Sequence, residues 1–244
     1  MVLPGTAGAT PTATPTATAL PPTATRTAVA TATATRTPIN TVTVTATASR
    51  TGTATATATA PPLFQLAGRI RTADGLPVAG VSVGLPPTGQ SGATDANGNY
   101  SFGAAPGIAL QLAPRRNGGA GGAISALDAA WVLQAIAGSR TLTRWQRLAG
   151  DITGDGTLST LDAVLMLQRA VGNTAPFPAA TACSSAWLFV PAPTAAPNQS
   201  PIQPALTTGA CQPGAVAFNP LSANATGQDF TAVLLGDCTG NWSP

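Results

Sequence analysis

The chain has no glutamate, no lysine and no histidine among its 244 residues. All 11 basic residues are therefore arginine, all 8 acidic residues are aspartate, and the net charge is only +3. Ser-His-Asp and Cys-His catalysis require a histidine, and Schiff-base catalysis requires a lysine, so these arrangements are excluded. A glycosidase could use two aspartates, but loops and turns account for most of the aspartates, as described below. We therefore predict that the chain is not an enzyme.

Basic clusters, long apolar runs and a leader sequence are also missing. Arg115 and Arg116 are the only adjacent basic pair, so we predict no nucleic-acid partner. No apolar run is long enough to cross a bilayer, so we predict no membrane span. The first residues, Met-Val-Leu-Pro-Gly, lack the charged and apolar regions of a signal peptide, yet the remaining content is typical of extracellular proteins. We therefore expect a secreted or cell-surface protein of which this chain is the tail, or a mis-started reading frame.

Residues 1–62 consist largely of Thr-Ala-Thr and Pro-Thr-Ala-Thr units, with Arg26, Arg36 and Arg50 as the only charges. Alanine and threonine offer too little apolar area to fix a strand register, and proline with threonine favours extended, solvated chain. We therefore predict a disordered linker over 1–62. Two interpretations of it remain open: an O-glycosylated spacer between modules, or plain disorder.

Oxygen-bearing side chains recur at a fixed spacing in the twelve-residue stretch 151–162. They occupy positions 1, 3, 5, 9 and 12, position 7 is a threonine, and position 6 is Gly156, the glycine that a sharp turn requires. A hard cation needs about six to eight oxygens gathered from one tight loop, so this spacing predicts a Ca²⁺ site of the EF-hand type. The predicted ligands are Asp151, Thr153, Asp155, Thr157, Ser159 and Asp162.

A simpler interpretation of this stretch is a surface Asp-Gly turn followed by a helix. Ser159 and Asp162 would then form a capping box at the start of that helix. The capping box explains two residues and leaves Asp151, Thr153 and Asp155 without a role. We therefore favour the Ca²⁺ site.

The stretch has a partner 34 residues earlier in the chain. Residues 124–138 match residues 158–172, with Ser, Leu, Asp, Ala, Leu, Gln and Gly identical at corresponding places, and this indicates an internal duplication. The first copy keeps Ser125 and Asp128, but its positions 1, 3 and 5 fall on Asn117, Gly119 and Gly121. Because Ca²⁺ affinity follows ligand charge, we predict only a weak or vestigial site from Asn117, Ser125 and Asp128.

Two loop-helix units that each end at a glycine, with Asp at loop position 12, resemble the type I dockerin family over about 117–173. The resemblance implies a non-catalytic, Ca²⁺-binding module that docks to a cohesin-type protein domain and is often attached to polysaccharide-degrading machinery. It also implies partner contacts at loop positions 10 and 11. Here these residues are Ala126, Leu127, Thr160 and Leu161 instead of the usual hydroxyl pair.

Residues 63–114 form short alternating apolar and polar runs separated by Gly and Asx turns. They predict strands at 64–72, at 78–85, after the turn within 94–102, and at 108–112. Asp74-Gly75, the run 77–81 and the run 94–102 resemble the carboxypeptidase-regulatory-like, transthyretin-type β-sandwich. The region 175–244 holds a Pro-rich loop and further strand patterns at 186–190, 215–221 and 228–235. We therefore predict a modular α+β fold: a small antiparallel β-sandwich with the dockerin-like pair, 115–174, inserted into it. The alternative is a separate β-unit at the C-terminus.

The helical pair should have its own small core. Thr143 is placed to cap a short helix that leads into the Ca²⁺ loop. Large apolar residues on the three predicted helices should form the core: Trp131, Leu133, Trp145, Leu148, Leu161, Leu165 and Leu167.

All three cysteines lie in the last third of the chain. We predict a disulfide between Cys183 and Cys211, which would close the Pro-rich loop, and leave Cys238 free or intermolecular. With no histidine and no CxxC pair, zinc is not expected. Cys238 lies in the run 236–241, Gly-Asp-Cys-Thr-Gly-Asn, which echoes Gly-Asp-Ile-Thr-Gly-Asp at 150–155. Because no helix follows the run 236–241, we predict a turn there and not a third Ca²⁺ loop.

Three functional hypotheses follow. The first is docking to a cohesin-like domain. The second is a Ca²⁺-stiffened structural or adhesive surface module, in which the helical pair packs onto the chain's own β-sandwich. Burial of Leu127 and Leu161 by the sandwich would favour this hypothesis over docking. The third is polysaccharide binding by the sandwich, which needs an exposed aromatic platform built from Tyr100, Trp187 and Trp242.

Overall fold

The computed structural model describes residues 62–244, so the predicted linker lies outside the described residues except for Pro62. Five strands, four helices and six further strands follow one another along this part of the chain, and the strand pairing is mostly antiparallel, which confirms the mixed α+β class. The strands are β1 Phe64–Thr72, β2 Ser82–Leu85, β3 Gln90–Ala93, β4 Asn99–Ala104, β5 Leu110–Arg115, β6 Trp187–Pro193, β7 Gln199–Ile202, β8 Ala205–Thr207, β9 Ala210–Gln212, β10 Ala215–Phe218 and β11 Gln228–Leu234. The helices are α1 Ala126–Ile136, α2 Arg144–Gly150, α3 Thr160–Ala170 and α4 Pro178–Cys183.

Two sheets enclose the main hydrophobic core. The first has the strand order β4-β1-β11-β6 and the second has the order β3-β2-β5-β10-β7, while β8 and β9 form a separate hairpin. Among the strands of residues 62–244, only β1 and β11 pair in parallel, with Ile70 opposite Phe230. Leu66, Phe189, Leu112 and Phe218, two from each sheet, lie in one buried cluster. The two sheets therefore form a sandwich around a shared core.

Each sheet combines strands from before and after the helices. In the first sheet β1 lies beside β11, and in the second sheet β5 lies beside β10, with Leu112 opposite Val216. Val81, which precedes β2, and Phe230 of β11 belong to the same core cluster. The chain thus leaves the sandwich after β5, forms α1 to α4, and returns to it at β6.

The helices cover the outer face of the first sheet. Alternate residues of a strand point to opposite faces, so Trp187 and Phe189 of β6 face the sandwich core while Leu188 and Val190 face the helices. Val132 of α1 and Met166 of α3 are buried in this second cluster. The position of the helical pair is therefore determined by burial of apolar residues on the sheet.

Part of the predicted helical core is wrong. Leu133, Leu161 and Leu167 are 41%, 56% and 40% exposed, whereas Ala129, Val132, Ala163 and Met166 provide the buried face of α1 and α3. Both helices carry apolar residues on two sides, so residue spacing does not show which side the sheet covers. The remaining predicted members, Trp131, Trp145, Leu148 and Leu165, are partly buried against the second cluster.

The strand predictions also miss some elements. β3 was not predicted because Gln-Ser-Gly-Ala has no alternating apolar residues, and this edge strand is mostly exposed. The predicted strand at 78–85 is shorter than expected, since Gly80 adopts φ +69° and β2 begins only at Ser82.

Cys183 and Cys211 are joined in a disulfide between α4 and β9, and Cys238 is a buried free thiol.

Candidate cation-binding loops

The predicted Ca²⁺ loop connects two helices. α2 begins after Thr143, whose hydroxyl accepts a hydrogen bond from the Gln146 amide, and ends at Gly150, with Asp151 as its C-terminal cap. α3 begins after Ser159, which forms a reciprocal capping box with Asp162. The capping box and the loop geometry therefore coexist, and the simpler interpretation explains only the end of the loop next to α3.

Asp151, at loop position 1, organises the first half of the loop. Its Oδ1 accepts hydrogen bonds from the Gly154 amide at 2.9 Å and the Asp155 amide at 3.2 Å, and its Oδ2 accepts one from the Gly156 amide at 2.8 Å. Gly156 adopts φ +89°, a conformation that favours glycine. The chain therefore wraps around the Asp151 carboxylate and turns back at position 6, as the sequence spacing requires.

The two ends of the loop meet through Thr153. Its backbone amide donates to Asp162 Oδ1 at 2.9 Å, and its hydroxyl donates to Asp151 Oδ1 at 3.3 Å. Asp162 Oδ2 accepts from the Ser159 amide and hydroxyl, both at 2.8 Å. The structure thus brings together four of the predicted ligands, Asp151, Thr153, Ser159 and Asp162, although the first and the last are eleven positions apart in the sequence.

Asp155 and Thr157 lie on the outer side of the loop. Asp155 Oδ1 accepts from the Thr157 amide at 2.9 Å and from its hydroxyl at 2.8 Å. Asp155 and Thr157 are exposed, so the Asp155 carboxylate can reorient at little cost. Side-chain hydrogen bonds thus link four of the six predicted ligands in one network and the other two, Asp155 and Thr157, in a separate pair.

The two inner carboxylates are buried among neutral groups. Asp151 is 5% exposed and Asp162 is fully buried, and their hydrogen bonds come from backbone amides and hydroxyls. Burial raises the pKa of the Asp151 carboxyl, and the nearby Asp162 charge adds to this rise against the opposing amide hydrogen bonds. A buried carboxylate pair without a positive partner favours either a proton or a bound cation.

The first copy of the loop is built differently from the sequence prediction. Ser125 and Asp128 form the expected capping box at the start of α1. Asn117, predicted at position 1, is exposed, and the partner of the Asp128 carboxylate is Thr239, whose amide and hydroxyl both donate to Oδ1 at 2.9 Å. Asp237, Thr239 and Asn241 therefore lie at this loop, and sequence reasoning missed them.

The sequence does contain a signal for Asp237, Thr239 and Asn241. The run Gly-Asp-Cys-Thr-Gly-Asn at 236–241 repeats the first half of the loop 151–162, which we call the contiguous loop. The sequence predicts only a turn there, because no helix follows the run in the chain. The structure supplies a helix from elsewhere: α1 lies next to this run in space, 111 positions earlier in sequence.

The residues at the proposed partner-contact positions are accessible. Leu127 and Leu161 are 55% and 56% exposed, and Ala126 and Thr160 are exposed as well. The two leucines are therefore not buried on the sandwich, so the observation that would have favoured the structural-module hypothesis over docking is absent from residues 62–244. By contrast, Tyr100, Trp187 and Trp242 are at most 5% exposed, so they cannot form the aromatic platform expected for polysaccharide binding.

Within residues 62–244, no three carboxylate or thiol groups converge as a metal-binding cluster. None of the helices in this part of the chain combines the length and apolar character needed to cross a membrane.

Comparison of the chain with models of known protein families, with curated proteins and with solved structures gave no match.

Proposed function

We propose that this chain is a non-catalytic, Ca²⁺-binding module that docks to another protein. The observation that carries the proposal is the burial of Asp151 and Asp162 in one loop, bridged by Thr153 and surrounded by neutral donors. Asp155, Thr157 and Ser159 stand at the remaining ligand positions of an EF-hand-type loop. Hard oxygen ligands and a double negative charge favour Ca²⁺ over softer metals.

A calorimetric titration of the full chain with CaCl₂ tests the contiguous loop. We expect Asp155→Ala to abolish or weaken binding at this loop by on the order of 10–100-fold, because it removes a charged ligand. Asp95→Asn is the matched control, since Asp95 is an exposed aspartate in the turn between β3 and β4. An Asp155→Ala isotherm identical to that of the wild type would contradict the proposal.

The docking part of the proposal is supported by Leu127 and Leu161. These leucines stand at equivalent positions of the two repeats, and both are more than half exposed in the described chain. Exposed apolar surface is typical of protein-contact sites. The dockerin resemblance suggests a cohesin-like domain as the partner. No histidine, lysine or glutamate is present to suggest catalysis instead.

Binding to a panel of purified cohesin domains, measured with Ca²⁺ and with EDTA, tests this partner class. We expect Ca²⁺-dependent binding that Leu127→Ser and Leu161→Ser together weaken by more than about tenfold, as expected for central apolar contacts. Val171→Ser, at an exposed apolar position beyond the end of α3, is the control for a general loss of surface hydrophobicity. Binding that is unaffected by the double substitution would exclude this surface.

A further inference from the structure

We propose that a cavity between α2, the contiguous loop and the β8–β9 hairpin binds an acidic segment of the docking partner. The cavity has a volume of about 400 Å³, which is within the range of ligand pockets. Its lining includes two arginines and three leucines: Arg144, Arg147, Leu148, Leu158 and Leu206. This inference names the chemistry of the partner and therefore rests on the proposed docking function.

The two arginines are positioned to act together. They are three residues apart in α2, so they lie on the same side of that helix. Arg144 Nη2 donates to the Gln203 side-chain oxygen at 3.5 Å, and its guanidinium lies 5.2 Å from the centroid of the Trp145 ring. Both contacts are with neutral groups, and they leave most of the five guanidinium N–H donors available to a ligand.

No carboxylate within residues 62–244 forms an ion pair with Arg144 or Arg147, although all eight aspartates of the sequence lie in this part of the chain. Asp151 also lines the cavity, but its oxygens accept hydrogen bonds from the backbone amides of the contiguous loop. Arginine pairs with carboxylates through two parallel hydrogen bonds. The two unpaired positive charges therefore favour an acidic ligand.

The three leucines indicate what accompanies the acid. Leu206 is 6% exposed, and Leu148 and Leu158 are partly buried against the second cluster, so this side of the cavity is apolar. A small inorganic anion would gain little from apolar walls. A peptide in which acidic and apolar residues are neighbours matches both the arginines and the leucines.

The wall formed by the β8–β9 hairpin is held in place before a ligand binds. Leu206 of β8 is paired with Cys211 of β9, and Cys211 is joined to Cys183 of α4 by the disulfide. The hairpin also packs closely on the contiguous loop, since a Cβ at Gly156 would lie 3.1 Å from the Leu206 carbonyl oxygen. A cavity that is already formed lowers the entropic cost of binding.

The contiguous loop couples this cavity to Ca²⁺. Asp151 and Thr157 belong to both the loop and the cavity lining, and the loop carries three aspartates, Asp151, Asp155 and Asp162. Their negative charges repel an acidic ligand, and a bound Ca²⁺ would neutralise two of the three. We therefore expect Ca²⁺ to strengthen binding of the acidic segment, and the segment to strengthen Ca²⁺ binding by the same factor.

Fluorescence anisotropy of the full chain in CaCl₂ tests the site with a labelled, capped peptide, Leu-Asp-Leu-Asp-Leu. We expect binding that Arg144→Gln and Arg147→Gln together weaken by more than about tenfold, because hydrogen bonds between charged groups are lost. Arg69→Gln with Arg71→Gln is the matched control, since it removes two positive charges from β1, outside the cavity. The neutral peptide Leu-Asn-Leu-Asn-Leu should bind at least about tenfold more weakly, and this comparison needs no variant.

Calorimetry with CaCl₂ on the same samples separates this site from the proposed function. Ca²⁺ binding without binding of the acidic peptide would overturn the site and leave the Ca²⁺ module standing. Equal binding of the two peptides, or equal weakening by the two double substitutions, would also overturn it. Arginine-dependent binding of the acidic peptide to a chain that binds no Ca²⁺ would support the site and refute the Ca²⁺ part of the proposed function.

Repeating the anisotropy titration in EDTA tests the coupling. We expect the acidic peptide to bind several-fold more weakly without Ca²⁺, while the neutral peptide binds equally in both conditions. An equal affinity of the acidic peptide in CaCl₂ and in EDTA, in a chain that binds Ca²⁺, would refute the coupling.

Discussion

Close packing of β1 and β11 depends on a single residue, Gly68. A Cβ at this position would lie well inside van der Waals contact with the Gln228 carbonyl group and 2.8 Å from the Tyr100 hydroxyl oxygen. That hydroxyl donates a hydrogen bond to the same carbonyl, and burial raises the pKa of the Tyr100 phenol, so the phenol stays protonated as a donor. Only glycine allows the strand and this hydrogen bond to approach so closely.

We predict that Gly68→Ala lowers the free energy of unfolding by about 2–3 kcal/mol, the usual cost of forcing atoms into a packed site. Urea denaturation followed by circular dichroism measures it. Gly84→Ala is the control, because this glycine lies in β2 and its added Cβ would meet nothing nearer than 3.8 Å; we expect a change below about 1 kcal/mol there. Equal destabilisation by the two substitutions would refute the packing argument.

At the scale of elements, α4 depends on its disulfide. It has only six residues, begins with Pro178 and ends at Ser184 in the left-handed conformation, and helices this short are not stable by themselves. Cys183 at its C-terminal end is bonded to Cys211 of β9, and Ala179 packs beside Gly154 of the contiguous loop. The disulfide therefore fixes the helix that covers one side of that loop.

We predict that reduction of this disulfide lowers the free energy of unfolding by about 3.5 kcal/mol, the loop-closure value for a sequence separation of 28 residues. Urea denaturation of the full chain with and without dithiothreitol measures the change. Cys211→Ser, which has no disulfide, must show the lower stability and no response to the reductant. A response of Cys211→Ser comparable to that of wild type would mean that another thiol reaction causes the effect.

At the scale of the whole molecule, the ends of the described chain are joined in one sheet and beside one helix. β1 and β11 are adjacent in the first sheet, and the run that follows β11 contacts the start of α1 through a hydrogen bond from Thr239 to Asp128. A cation bound at the contiguous loop would connect α2 and α3, which pack against the first sheet. Its binding free energy would therefore add to the stability of the folded unit and not only to that of the loop.

We predict that Ca²⁺ at about 100 times its dissociation constant adds about 2.7 kcal/mol per site, or a rise of about 5–10 °C in Tm for a unit of this size. Differential scanning calorimetry of the full chain with CaCl₂ or EDTA measures it. Mg²⁺ at the same concentration should raise the Tm much less, since it requires small octahedral sites. An equal rise with Mg²⁺ would point to general charge screening.

Sequence reasoning reached the elements whose signals are local. The capping boxes at Ser125 and Ser159, the helix after Thr143 and the α+β class depend on residues within a few positions of one another, and all are present. It failed for residues whose burial depends on elements that are distant in the sequence. Leu133 and Leu167 were expected in the core because they are large and apolar, but the sheet covers the other side of their helices.

The sequence by itself determined the ligand spacing of the contiguous loop, because that loop is one continuous stretch whose backbone must follow its own glycine and aspartates. Only the tertiary structure decided the partner of Asp128. Because β11 pairs with β1 and β6 in the first sheet, the run 237–242 that follows β11 lies at the start of α1. Contacts over 111 positions depend on how the sandwich closes, and no local pattern of residues encodes that closure.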